Sequence, residues 1–295
     1  RYKGMNEKAL RMRQSVENVL NDQALFQHQR TAAQKTFDAL TGEVRAVVTA
    51  AEMQAGKSGV ALVLACLQRL SLDDTDICDK SKLKDTLYLV TMPDIALIEQ
   101  AQKDLALAKN IIVSNFVRFE QDIERNFKGH TPKLIPIDEC HYGSNAASVR
   151  YCRIFDYLEK ENDSCKVVFI SATPFGALYA AEQEYEVAKH LESVAQKEND
   201  KAALKEAQEM AELARSNSIL RRNFKTKLVF HRTSSDYYGV RQMLGANKLR
   251  NLDASTRNFL EDSPAREQFM TTFNNFQGAG WALIRVMAGG AMQAK

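Results

Sequence analysis

The 295 residues suffice for one large or two ordinary domains, and the apolar fraction of 45% is ordinary for a globular protein. No stretch approaches the roughly 20 consecutive apolar residues of a membrane span, the first 20 residues are too polar for a secretory signal, and five cysteines without a Cys-x-x-Cys pair exclude a disulfide framework or a zinc site of familiar spacing. The net charge of +3 is too small to imply a nucleic-acid partner, although residues 221–295 carry twelve Lys/Arg against five Asp/Glu, which suits phosphate contacts or a plain solvated surface equally.

Residues 1–24 read as a polar amphipathic helix with Leu10, Val16, Val19 and Leu20 as sparse anchors. Residues 25–30 lead into a helix over 31–40, which Thr41-Gly42-Glu43 ends. Residues 45–50 form the first buried strand, the segment Ala51-Glu52-Met53-Gln54-Ala55-Gly56-Lys57-Ser58-Gly59 follows, and a helix runs to Leu70. Residues 71–85 are polar and acidic and read as an exposed loop. Asp73, Asp74, Asp76 and Asp79 lack the glycine and terminal glutamate of a calcium loop. Strands are expected at 86–91, 110–114, 134–137 and 166–170, with helices at 95–108, 116–127 and 146–160 between them. Strands alternating with helices predict an α/β fold, and strands without strict polar alternation predict a parallel sheet buried on both faces. Residues 179–222 are helical and highly charged, with apolar residues at Val187, Leu191, Val194, Leu204, Ala207, Met210 and Leu213. Asn199-Asp200 is placed to break them into a hairpin. A strand at 227–231, helices near 237–244 and 259–276, and a strand at 280–286 read as the opening of a second α/β domain. The chain starts at Arg1 rather than Met, which reads as a processed chain or an excerpt of a longer one.

Strand, tight loop and helix is the layout of a phosphate-binding loop, in which backbone N–H groups face phosphates, Lys57 reaches the β and γ phosphates and the Ser58 hydroxyl binds Mg²⁺. The strict pattern asks for glycine where Ala51 stands, so taken alone Gly56-Lys57-Ser58 fits a plain turn as well as a nucleotide site. Two more polar clusters follow apolar strands, Asp138-Glu139-Cys140-His141 and Ser171-Ala172-Thr173. Ligands of open parallel sheets collect at the carboxyl ends of strands. Hydrolysis of ATP needs a cation across the phosphates and an attacking water held in line. Asp138 suits the first requirement, through a shell of water, and Glu139 the second.

In combination these segments resemble superfamily 2 helicases and translocases, the group containing the DEAD-box and DEAH-box proteins. Asp138-Glu139-Cys140-His141 looks like that family's second motif in its DECH variant, and Ser171-Ala172-Thr173 like its third. Residues 51–58 look like its first, whose usual form opens on alanine, although Gln54 stands where glycine is usual. The resemblance covers roughly residues 20–178 and implies a RecA-like domain that couples ATP hydrolysis to movement on DNA or RNA. It implies that Gln29 (with Gln27 as the fallback) reads adenine and that Gln54, Ala55, Gly56, Lys57, Ser58 and Gly59 hold the nucleotide. It further implies that His141, Ser171 and Thr173 link the γ-phosphate site to a facing domain, and that Thr91, Pro93 and, more weakly, Asn115 touch a nucleic-acid backbone. A narrower likeness, carried by the Met-Gln-Ala-Gly-Lys-Ser loop, Ser-Ala-Thr-Pro-Phe and the Ala-Leu-Ile-Arg-Val strand, is to helicase-like ATPases of phages and DNA restriction systems.

The expected organisation is an N-terminal helix at 1–24, an ATPase domain at 25–178, a helical arm at 179–223 and an incomplete second domain from 224. The expected compartment is cytoplasmic, that of the host if the protein is viral. The late motifs that bring arginines across the cleft have no convincing counterpart, and Arg285 reads as a scaffold residue. The expected activity is a nucleic-acid-dependent ATPase using Mg²⁺. The alternative is an ATP-binding module with little turnover that docks a protein or nucleic acid, its arm at 179–223 being one docking surface.

Overall fold

The computed structural model describes residues 2–42, 44–51, 56–140, 149–171, 175–219, 222, 224 and 226–231. In chain order the elements are α1 (Tyr2–Leu20), α2 (Gln27–Ala39), β1 (Ala46–Ala51), α3 (Lys57–Leu70), α4 (Asp74–Cys78), β2 (Thr86–Val90), α5 (Ile95–Asp104), β3 (Ile111–Asn115), α6 (Phe119–Asn126), β4 (Leu134–Asp138), α7 (Val149–Lys160), β5 (Lys166–Ser171), α8 (Phe175–Glu198), α9 (Lys201–Asn217) and β6 (Thr226–His231). The strands form one parallel sheet in the order β3-β2-β4-β5-β1-β6. This is the α/β class expected from the alternation of strands and helices.

The side-chain period of two explains why the strands read as continuous apolar runs. Val48, Leu87, Leu89, Ile135, Ile137, Val167 and Phe169 enter one core with Phe119, Tyr151, Phe155 and Leu158 of α6 and α7. Their neighbours Val47, Tyr88, Val90, Leu134, Val168 and Ile170 enter the other core with Ala33, Val60, Leu64 and Ile98 of α2, α3 and α5. Phe169 is fully buried in the central strands, and truncating such a ring to alanine costs about 3–5 kcal/mol.

Four expectations need correction. Residues 71–85 are not a bare loop: α4 and a single 3₁₀ turn at Lys80–Lys82 lie within them, and Asp73 and Asp79 cap these by accepting from the backbone N–H of Asp76 and Ser81. Asp85 is buried against Arg69, Thr86 and Asn110, and burial raises its carboxyl above the usual range. Leu10 is 60% exposed, and Ala9 instead enters a small core with Leu72 and Ile77. Arg13 ties α1 to the body by donating to the carbonyls of Leu70 and Leu72 at the carboxyl end of α3, where the helix dipole favours a cation.

The third correction concerns the start of the arm, whose first helix begins at Phe175 rather than at 179. The arm is a hairpin broken at Asn199-Asp200, as the sequence suggests, with Asn199 at a φ of 53° and Asp200 accepting from the N–H groups of Ala202 and Ala203. Among the described residues its buried apolar side chains are alanines, Ala181, Ala188 and Ala195 on α8 and Ala207, Ala211 and Ala214 on α9. Of the recurring apolar residues of the arm, Ala207 is buried, whereas Val187, Leu191, Met210 and Leu213 are exposed. Alanine seams let the two helix backbones approach, which leaves the larger side chains outside.

The fourth concerns residues 224–231. β6 does not open a separate unit but pairs with β1 at the edge of the same sheet, from Ala46 opposite Thr226 to Ala51 opposite His231. The helices and strand expected over 237–286, with Arg285, lie outside the described residues. Among the described residues no helix is long and apolar enough to cross a membrane.

Candidate nucleotide site

The register brings the chemistry to one edge of the sheet. Ala50 pairs with Ser171, Ile170 with Asp138, and Asp138 with Val90. The loop after β1 and the carboxylates after β4 therefore flank the end of β5. Asp138 shares the strand face of Leu134, which packs with the α3 side of the sheet, so its carboxyl lies on the side from which Lys57 approaches.

Gly56 caps α3 at a φ of 74°, a conformation that glycine adopts without the penalty a Cβ would incur. Lys57 is the first helical residue, and its ammonium donates to Glu139 Oε1 in a partly buried ion pair. The Ser58 hydroxyl, half-buried, has no hydrogen-bond partner among the described residues. Gln29, 6% exposed, lies against this turn: its Nε2 donates to Gly56 O at 3.1 Å, and its Oε1 accepts from Phe26 N at 2.8 Å. A methyl on Gly56 or Gly59 would fall within 2.0 or 2.3 Å of Gln29 Nε2. Gln29 thus braces the turn in addition to any contact with a base. Gln27 is exposed and bonds within its own helix, to Thr31.

Burial pushes the Asp138 carboxyl up; Lys57 pulls it back down, Glu139 adds to the rise, and a hydrogen bond from Tyr88 lowers it. Glu139 holds a φ of 50°, the left-handed region that few non-glycine residues adopt. Side-chain hydroxyls reach the three carbonyls at this strand end. Thr91 Oγ1 donates to Asp138 O and Glu139 O, each at 2.9 Å, and Tyr151 donates to Cys140 O. The Cys140 N–H donates to Ile170 O of the neighbouring strand at 3.1 Å. Burial raises the Cys140 thiol far above its ordinary range, so it serves as core rather than as a reactive group.

The residues assigned to a nucleic-acid surface divide. Pro93 is exposed, with Met92 and Ile95 beside it. Thr91 and Asn115 are buried: the Thr91 hydroxyl is committed as described, and Asn115 Oδ1 accepts from Arg118 N at 2.8 Å in the turn before α6. Both polar groups are thus engaged within the protein. Ser171 lies at the end of β5, fully buried, between the two halves of the site. Gln54, Ala55, His141 and Thr173 lie outside the described residues.

Sequence reasoning misses Tyr88 and Tyr151. Tyr88 has a signal: it lies two positions before Val90, the register partner of Asp138, and so faces the same side of the sheet. Nothing in the spacing marks Tyr151, which reaches Cys140 from α7.

No family model and no curated protein sequence matches the chain. Among solved structures, the crystal structure of the Pyrococcus furiosus Hef helicase domain is similar at a TM-score of 0.35 and 13% identity, over 86% of this chain and 69% of that one.

Proposed function

We propose that the protein is a nucleoside-triphosphatase of the helicase or translocase type, hydrolysing ATP with Mg²⁺ in response to DNA or RNA. The observation that carries this reading is the meeting of Lys57, Asp138 and Glu139 at the carboxyl edge of a parallel sheet, with a glycine-capped helix N-terminus beside them. Lys57 would leave Glu139 for the β and γ phosphates, and the first N–H groups of α3 would hold phosphate oxygens. Released from Lys57, Glu139 would orient and deprotonate an attacking water.

The donor set fits the implied metal. Among the described residues no cluster of three His, Cys, Asp or Glu side chains would hold an ion by itself. A carboxylate and a free hydroxyl, Asp138 and Ser58, suit Mg²⁺, which takes oxygen ligands and keeps several waters. The ion would supply charge neutralisation at the phosphates.

Thr91 and Asn115 being buried, the exposed turn at Met92, Pro93 and Ile95 is, among the described residues, a part of this edge open to a nucleic-acid chain. Gln54, Ala55 and Gly59 remain proposed nucleotide contacts, and His141, Ser171 and Thr173 remain proposed links to a facing domain. The second reading, an ATP-binding module that docks a protein partner, draws on the exposed Val187, Leu191, Met210 and Leu213 of the hairpin.

An ATPase assay with and without single- and double-stranded DNA and RNA separates the two. Turnover stimulated by a nucleic acid supports the motor reading. Nucleotide binding with background turnover under every condition supports the docking module.

A further inference from the structure

Thr91 belongs to a motif whose resemblance points outward, to a nucleic-acid backbone, yet the side chain points inward and is 1% exposed. It sits one residue beyond β2, and the chain divides there: Thr91 turns into the protein, and Met92 and Pro93 turn to solvent. Its hydroxyl has one proton, and two carbonyl oxygens lie 2.9 Å from Oγ1, those of Asp138 and Glu139. One proton is therefore shared between the two peptide groups that flank the Glu139 Cα.

Those peptide groups define the backbone angles of Glu139, whose φ of 50° is unfavourable for a residue with a Cβ. Such a conformation persists only where its surroundings over-determine it. Here the surroundings include three such contacts: the Glu139 N–H donates to Asp138 Oδ1 at 3.0 Å, the Cys140 N–H to Ile170 O, and the Thr91 hydroxyl clamps the carbonyls. The backbone direction at Glu139 decides where its carboxylate points, toward Lys57.

We infer that Thr91 is a positioning residue, a hydroxyl clamp on the left-handed Glu139 peptide that aims the Glu139 carboxylate, and not a contact to nucleic acid. The inference rests on the ATPase reading for what Glu139 does, and not for how Glu139 is held. Losing the clamp removes one donor from two carbonyls and lets the peptide relax out of the left-handed region. The carboxylate then spends less time in its working direction, so the hydrolysis step slows while the nucleotide, held by the loop after β1, binds as before.

The test compares Thr91→Val, which keeps the shape and removes the hydroxyl, with Thr91→Ser, which keeps the hydroxyl and removes the methyl. Hydrogen exchange of the amides of Glu139 and Cys140 in the nucleotide-free protein reads the clamp directly. Exchange should speed by about 10-fold in Thr91→Val, the scale of one buried hydrogen bond, and return to within about 2-fold of the parent in Thr91→Ser. Single-turnover hydrolysis should fall by a similar factor in Thr91→Val, with the affinity for a fluorescent ATP analogue and for DNA and RNA unchanged. Unchanged exchange in Thr91→Val overturns the inference. So does equal loss in Thr91→Ser, which would assign the effect to methyl packing, and so does weakened nucleic-acid affinity with hydrolysis of bound ATP intact. If the parent itself neither binds nor hydrolyses ATP, the ATPase reading fails, and the exchange comparison still decides whether Thr91 holds Glu139.

Discussion

The two halves of the candidate site are built by different means. On the β4 side, Asp138 and Glu139 are held from within the sheet and its neighbouring helix, by Tyr88 and Thr91 from β2 and its end, by Ile170 of β5 and by the ion pair with Lys57. On the β1 side, among the described residues, the turn at Gly56 is held from outside the sheet by the amide of Gln29 of α2. Strand neighbours are set by ladder register and move little, whereas a single amide on a helix can let go and be replaced. The difference suits the chemistry proposed for each half. A group that must be aimed is over-determined, and a cradle that must admit and release a ligand is closed by a hydrogen bond worth about 1 kcal/mol.

Substitutions on the two sides should therefore fail differently. Glu139→Gln keeps the shape of the side chain and removes its basicity. Turnover should fall by about 10²–10⁴-fold, while a filter or fluorescence binding assay finds ATP bound at least as well as by the parent. Lys57→Ala should instead remove ATP binding almost completely. If Glu139→Gln hydrolyses at the parent rate, the catalytic role is wrong; if Lys57→Ala binds ATP normally, the phosphate loop is wrong.

This division of labour is only partly legible in the sequence. The strands, their burial on both faces and the clusters at their ends follow from apolar runs and turn residues, because a doubly covered sheet leaves that pattern in the chain. The hydrogen bonds that hold the clusters do not, because they join residues far apart: Thr91 to Glu139, Gln29 to Gly56, Tyr151 to Cys140. At Thr91 the motif's position suggests a surface contact, and the structure places the hydroxyl inside. The hairpin is legible in another way. Weighting large apolar residues selects Val187 and Leu191, whereas the seven-residue spacing of Ala181, Ala188 and Ala195 is present in the sequence and marks the seam. β6 is legible as a strand but not as a member of this sheet, since a strand's partner is a matter of register that its own residues do not state.

Two glycines isolate the β1 side. Gly56 and Gly42 share almost the same backbone, at φ of 74° and 71°, but a methyl on Gly42 meets nothing within 4 Å whereas one on Gly56 runs into Gln29. Gly42→Ala should cost only the left-handed penalty, about 1–2 kcal/mol, seen as a lower melting temperature with unchanged ATP affinity. Gly56→Ala should carry the same penalty and also drive Gln29 from the turn, with ATP affinity reduced by about 10-fold or more in equilibrium binding. Equal affinity in the two variants would mean that the turn needs no brace.

The smallest effect belongs to Gln29 itself. Gln29→Ala removes the amide from Gly56 O and from Phe26 N but leaves every backbone angle of the turn permitted. Gly56 O keeps its bond from Val60 N at 3.2 Å, so the helix start survives. One or two hydrogen bonds of ordinary strength set the scale, about 2–10-fold in ATP affinity, with the single-turnover rate of bound ATP unchanged. Repeating the measurement with GTP tells bracing from base reading. If Gln29 acts as a brace, its removal weakens both nucleotides alike, because the phosphate cradle is common to them. If Gln29 reads the base, its removal weakens ATP and leaves GTP where it was, since only the adenine edge distinguishes the two ligands.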